Sequence, residues 1–263
     1  VDKLMGIKSE VTKYDLYQII SSKDDLARHI PPTGLFDDLD DVISFIEDYG
    51  KVILRPINHS KGEGMLIIEK LNDNFKITDC RRKSQVKSVL DGVEELKSFF
   101  KKSENNLHDY LFQKLIKSVR IEQSPFDLKV VMKKGLQGCW ECGEMEYTIG
   151  GKHFLLMNVY KEVYPALLSE ALKKTYPLKF DFHKIIRKVN KLCINTCETI
   201  DTRMDYSGNV EFKIAIDEEN KPWFLEINLI KTMKKFKIVD YNAYSSIKGS
   251  SILYSTSAFC FEN

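Results

Sequence analysis

No apolar run in the 263 residues approaches the ~20 needed to cross a bilayer. The opening stretch, VDKLMGIKSEVTKYD, has no apolar h-region. Neither a membrane span nor a signal peptide is expected, and the chain reads as cytoplasmic. A dominant charge is lacking as well. The 40 Lys and Arg nearly cancel the 38 Asp and Glu, for a formal charge of +2, so the balance gives no argument for a nucleic-acid partner. Five His show no metal-ligand spacing, and no Ser/His/Asp or Cys/His arrangement can be drawn. The six Cys do not form the framework of a small secreted fold. Cys139 and Cys142 have C-x-x-C spacing, but no second such pair follows, and the thiols read as reduced. Internal repeats and low-complexity linkers are also missing. A Walker loop and a Rossmann fingerprint are excluded because the one glycine-rich stretch lies between two strands and leads into no helix.

What is present centres on the stretch from Asn209 to Lys231. Val210–Ile216 alternates apolar and polar residues, and Pro222–Ile230 is apolar except for Glu226 and Asn228. Asp217 to Lys221 between them are turn-compatible, so a hairpin is expected. Side chains two apart on a strand share a face. Glu226 and Asn228 therefore point one way, as do Glu211 and Lys213 on the partner strand. A carboxylate and an amide in so apolar a strand need a partner. Two readings stand: oxygen ligands for a hard cation such as magnesium, or a strand Glu paired with a Lys.

Before the hairpin, helical periodicity covers Lys13–His29, with Ser22 expected to cap a second short helix. Pro31-Pro32-Thr33-Gly34 stops it. A further helix is expected over Asp38–Tyr49, closed by Gly50. Lys51–Pro56 reads as a buried strand, Met65–Lys70 and Phe75–Cys80 as a meander turning at Asn72-Asp73-Asn74. Ser84–Lys102 reads as helix, Asp109–Ile116 and Phe126–Lys133 as strands, and Cys139–Met157 as two or three more. Val163–Thr199 reads as helix in two pieces, and the tail Tyr241–Phe261 as a Ser-rich helix. Segregated sheets and helices make the fold class α+β.

Ser60-Lys61-Gly62-Glu63-Gly64, between two strands, is either an anion cradle of backbone N–H groups or a plain glycine hairpin. Arg55, at the end of the strand before it, is either a phosphate partner or a strand-end surface Arg. Asp127 and Lys129 alternate on one strand and, with Arg55 and Lys213, form either a cationic wall or a solvated face. Gln113-Lys114-Leu115-Ile116 reads as a hinge.

The order of these pieces resembles the ATP-grasp superfamily, and more closely its spore-coat-associated YheC/YheD-type branch. The resemblance runs from about Lys13 to the tail. Its counterparts are Arg55-Pro56, Ser60 to Gly64, Gln113 to Ile116, Phe126 to Val130, Gly138 to Trp140, and Lys213 to Asp217 before Glu226 to Asn228. It implies an ATP-grasp fold of two α+β lobes whose antiparallel sheets enclose a nucleotide cleft: a helical lead-in over 1–34, a small lobe over 35–112 and a large lobe over 113–263. It further implies a carboxylate–amine ligase working through an acyl phosphate, with ATP and Mg2+ as cofactors. Ser60, Gly62, Gly64, Gln113, Lys114 and Ile116 would bind the nucleotide. Glu226 and Asn228 would hold metal, and Arg55, Lys129 and Lys213 would neutralise phosphate charge. The substrates would be a small-molecule or peptide carboxylate and an amine. The chain departs from the branch in several places that bear on this chemistry, Arg55 and Lys213 among them. Arg55 stands where relatives have Lys. Lys213 stands where they have a metal-binding Asp, which leaves Glu211, two residues earlier on the same face, as the substitute ligand. These departures imply the alternative of a catalytically inactive nucleotide-binding coat scaffold.

Overall fold

The computed structural model describes residues 11–57, 64–80, 86–102, 109–121, 124–135, 137–149, 181–204, 206 and 208–230. Their contacts divide the chain into two units, Val1–Lys117 and Ser118–Asn263.

The first unit opens with α1 (Lys13–Ser21). Its N-terminus carries a capping box: the Asp15 amide donates to Thr12 Oγ1 at 3.2 Å, and the Thr12 amide donates back to Asp15 Oδ2 at 3.0 Å. Leu16, Tyr17 and Ile20 are its buried side. Ser22 does not cap the next helix, α2 (Asp24–Ala27), whose N-cap is Lys23 without a side-chain bond. Ser22 closes α1 instead, its hydroxyl donating to the Ile19 carbonyl at 2.7 Å. The proline pair ends the helical stretch as expected and feeds β1 (Thr33–Leu35). Next, α3 (Leu39–Tyr49) starts on an Asp38 N-cap and ends on Gly50 at φ 70.

Strands β2 (Lys51–Pro56), β3 (Met65–Leu71), β4 (Asn74–Cys80), β5 (Val86–Leu90) and β6 (Tyr110–Lys114) complete a six-stranded antiparallel sheet in the order β1-β6-β2-β3-β4-β5. The β3–β4 turn is Asn72-Asp73, with Asn72 at φ 56. Helix α4 (Gly92–Lys102) follows β5. The helix expected over Ser84–Lys102 is thus a strand and a helix. Gly92 at φ +68 breaks between them, and Val86 to Leu90 pair with β4 along its open edge. Val52, Leu54, Leu66, Ile68, Phe75 and Ile77 project from one face into a core shared with Val42, Ile46, Leu96 and Phe100 of the helices.

Gly34 is fixed by close approach. It lies directly opposite Phe112, and a Cβ there would stand 2.3 Å from Phe112 Cζ. The ring cannot swing away freely, because it also packs edge-on against Phe45 with centroids 5.0 Å apart. Gly34→Ala is expected to cost about 1–3 kcal/mol as an overpacked core, read as a lower melting temperature by circular dichroism.

The second unit holds β7 (Arg120–Ile121), β8 (Ser124–Lys134), β9 (Trp140–Ile149), α5 (Phe182–Met204), β10 (Asn209–Ile216) and β11 (Pro222–Ile230). Strand β8 is central, paired with β9 and with β10, and β11 lies outside β10; the short β7 pairs with the start of β8. All pairs are antiparallel. Ile185, Val189, Cys193, Cys197 and Ile200 recur on one side of α5 and are buried, and the helix packs on β8, β9 and β11. Under it lie Phe126, Leu128, Val130, Met132, Val210, Phe212, Ile214, Phe224 and Ile227, each at most 1% exposed. Residues 150–180 and 231–263, with the first helical piece and the Ser-rich tail helix expected there, lie outside the described residues.

The hairpin forms where the sequence places it. Asp217 organises the turn: its Oδ1 accepts from the amides of Glu219 and Lys221 at 3.0 and 2.9 Å, and its Oδ2 accepts from Trp223 Nε1 at 2.7 Å. A bulge then shifts the register. Lys213 pairs with Glu226 while Ile214 pairs with Phe224, leaving Leu225 extra. That single residue lets Phe224 and Ile227, three apart, both enter the core.

Candidate functional site

The face of the first sheet turned away from α3 and α4 carries the first set of candidate residues. Thr33, Gln113 and Ile53 stand in one cross-strand row, and Leu35, Leu111 and Arg55 in the next. Arg55 and Gln113 are therefore neighbours, 7% and 2% exposed. Arg55 Nη2 donates to Gln113 Oε1 at 2.6 Å and to the Tyr17 hydroxyl at 2.7 Å. Gln113 Nε2 donates to Thr33 Oγ1 at 2.6 Å, and that hydroxyl donates to the Pro31 carbonyl at 2.7 Å. Arg55 is thus neither a surface residue nor loosely placed. It is the hub of a buried polar chain, and among the described residues its Nε meets no acceptor. Tyr17 and Thr33 also line a cavity of about 280 Å3 with Tyr14, Gln18, Ser21 and Ile30.

Ser60 and Gly62 lie outside the described residues. Gly64 is at φ +83, its carbonyl accepts from the Tyr110 hydroxyl at 2.9 Å, and a Cβ would come within 2.9 Å of Pro56 Cγ. Only glycine suits that end of the loop. The hinge residues separate. Lys114 projects opposite to Gln113, its ammonium 5.0 Å from the Tyr49 ring centroid and its amide donating to the Pro32 carbonyl at 2.9 Å. Ile116 is half-buried just beyond β6.

The second set lies on the sheet face of the second unit turned away from α5. Register builds it row by row. Glu146, Lys129, Lys213 and Glu226 stand across β9, β8, β10 and β11, and Glu144, Val131, Glu211 and Asn228 form the adjacent row. Asp127 precedes them on β8 and is fully buried, with Oδ2 3.3 Å from Lys213 Nζ. Lys129 Nζ is 3.3 Å from Glu146 Oε2 and 3.8 Å from Glu211 Oε2. Asn228 Nδ2 donates to Glu211 Oε1 at 3.3 Å. The strand register brings Lys129, Lys213, Glu211, Glu226 and Asn228 together on this face. Around Lys129 this face is acidic rather than cationic, because Glu144, Glu146 and Glu211 surround it. Tyr17, Thr33, Glu144 and Glu146 were not foreseen. The alternation Glu144-Met145-Glu146 was the available signal for the last two.

Burial works to lower the Lys129 pKa, but Glu146 and Glu211 outweigh it and hold the ammonium above its ordinary value. Burial raises the Glu144 carboxyl, and a hydrogen bond and repulsion from Glu146 raise it further. A raised folded-state pKa favours folding below the ordinary carboxylate value of 4.5, and that contribution is lost as pH rises through the folded value. Glu144→Gln is therefore expected to raise the melting temperature at pH 7, by less than about 1 kcal/mol of stability for so exposed a group. The gain disappears below pH 4.5.

Magnesium was expected on Glu211, Glu226 and Asn228. The donors are hard oxygen groups, but their arrangement does not fit a divalent ion. Among the described residues no three acidic, His or Cys side chains are grouped to hold one. Glu211 is taken up by Lys129 and Asn228, and Glu226 faces Lys213 across the strand pair. A divalent ion on Glu226 would be repelled by the ammonium that stands across from it.

The profile of the "YheC/D like ATP-grasp" family matches residues 6–257. The chain is 20% identical over 224 residues to "Endospore coat-associated protein YheD" of Bacillus subtilis (strain 168), covering 84% of this chain and 48% of that one. It is 23% identical over 200 residues to "Endospore coat-associated protein YheC" of the same organism, covering 76% and 54%. The chain thus spans about half the length of these curated relatives. A crystal structure of biotin carboxylase from Campylobacter jejuni, in complex with β-γ-ATP, superimposes with a TM-score of 0.53 at 16% identity, over 93% of this chain and 44% of that one.

Proposed function

Because the chain belongs to the YheC/D-like ATP-grasp family and has its α+β fold, we propose that it is an ATP-dependent ligase joining a carboxylate to an amine. The observation that carries this reading is the family match along residues 6–257. Arg55 in the first unit and Lys129 and Lys213 in the second are the cations that would neutralise phosphate charge. Gln113, Lys114 and Ile116 would meet the base, and Ser60, Gly62 and Gly64 the phosphates. In the reaction a substrate carboxylate oxygen attacks the γ-phosphorus and ADP leaves, giving an acyl phosphate. The amine nitrogen then attacks the acyl carbon and loses a proton, and inorganic phosphate leaves with the electrons of the broken C–O bond. Such chemistry rests on positioning and charge neutralisation and needs no covalent enzyme nucleophile.

Calorimetry with ATP is the direct test, and micromolar binding is the expected result. Turnover of a pool of carboxylates with hydroxylamine as the amine should then yield hydroxamate and ADP in equal amounts. Absence of ATP binding would overturn the proposal. A second reading, a nucleotide-binding coat scaffold without catalysis, is favoured by the Lys213–Asp127 ion pair in place of a metal cage. Under the ligase reading, wild type forms hydroxamate and Lys129→Met, which removes a cation placed on phosphate, loses it. Under the scaffold reading wild type binds ATP and forms none.

A further inference from the structure

The carboxylate of Asp127 is fully buried, and the cation beside it is Lys213 Nζ at 3.3 Å. Lys213 also lies directly across from Glu226 on β11 and from Lys129 on β8. A buried carboxylate needs a positive partner, and on this face the chain supplies one covalently. Any divalent ion entering between Asp127 on β8 and Glu226 on β11 has to displace an ammonium carried by β10, the strand between them. We propose that Lys213 is a built-in cation: its ammonium takes the place of a divalent ion bridging the Asp127 and Glu226 carboxylates. An ammonium offers three donors. Here it stands in an ion pair with Asp127 Oδ2. The nucleotide arm below rests on the ligase reading, whereas the manganese arms do not.

The experiment titrates nucleotide-free protein with Mn2+ and counts the free ion by electron paramagnetic resonance. Wild type is expected to take up no stoichiometric Mn2+ on this face. Lys213→Asp, which sets three carboxylates together, is expected to bind one Mn2+ at least about tenfold more tightly than wild type, the equivalent of about 1.4 kcal/mol. Mn2+ should also raise the melting temperature of that variant and leave wild type unmoved. The proposal is overturned if wild type binds one Mn2+ and Glu226→Gln abolishes it, or if folded Lys213→Asp gains no site. Should Lys213→Asp not fold, wild type and Glu226→Gln decide it between them. In the nucleotide arm, ATP affinity in EDTA is expected within about threefold of that in Mg2+, a difference under about 0.7 kcal/mol. A loss of about a hundredfold on removing Mg2+ would overturn the proposal. No ATP binding under either condition would sink the ligase reading and leave the manganese result to decide this one.

Discussion

Lys213→Met is expected to destabilise the second unit by about 3 kcal/mol, at the low end of the cost of stripping one partner from a buried ion pair. The low end applies because the Lys213 side chain keeps 18% of its surface exposed while Asp127 keeps none. The loss comes from the carboxylate left behind. Asp127 is fully buried, and the strands on either side of β8 hold it there. For a unit of this size such a loss lowers the melting temperature by roughly 6–12 °C, measured by circular dichroism at low salt and neutral pH. Lys213→Arg keeps the charge and should lose less than half as much. The double variant Lys213→Met with Asp127→Leu should recover most of the loss, since replacing both partners by apolar groups removes the orphaned charge. If the single variant melts like wild type, the ion pair contributes nothing and Asp127 is satisfied by its other neighbours.

The polar face built around that pair was largely legible in the sequence. Alternation in Val210–Ile216 and the E-x-N spacing fixed which residues share a side, and pairing across the hairpin then put Glu211 beside Asn228 and Lys213 beside Glu226. Local patterning could not give the bulge at Leu225, because a period of two carries no mark for one extra residue. Nor could it give the part that β9 plays in both rows. Glu144 and Glu146 reach Lys129 only through β8–β9 pairing, which no local signal specifies. The same limit explains Val86–Leu90. Taken alone, its apolar spacing joins smoothly to α4. Pairing with β4 decides for strand, and the break shows only in Asp91-Gly92, where the Asp91 amide donates to Glu95 Oε2 at 2.7 Å. The charge of Arg55 at a strand end is legible in the sequence. Its role as a hub depends on Tyr17 and Gln113, 38 and 58 residues away in the chain.

That hub sets the second large effect. Arg55→Met is expected to cost about 3 kcal/mol, since hydrogen bonds to charged groups are worth about 1.5–3 kcal/mol each and two are lost at once. Gln113 Oε1 would be left buried without its donor, and Tyr17 without the guanidinium that fixes α1 against the sheet. Urea denaturation should show a lower midpoint at unchanged slope. Arg55→Lys separates charge from geometry. An ammonium on a shorter, unforked stem cannot reach both acceptors as the guanidinium does, so about half the stability loss is expected. If the cation serves phosphate as well as structure, Arg55→Lys should hold ATP affinity within about tenfold while Arg55→Met loses more than that, a split of over 1.4 kcal/mol. Among the described residues the Arg55 Nε–H meets no acceptor, which favours this dual role, because such a buried donor is costly until a ligand oxygen arrives. Equal ATP affinity in wild type and Arg55→Met, at a protein still folded, would assign Arg55 to the scaffold alone.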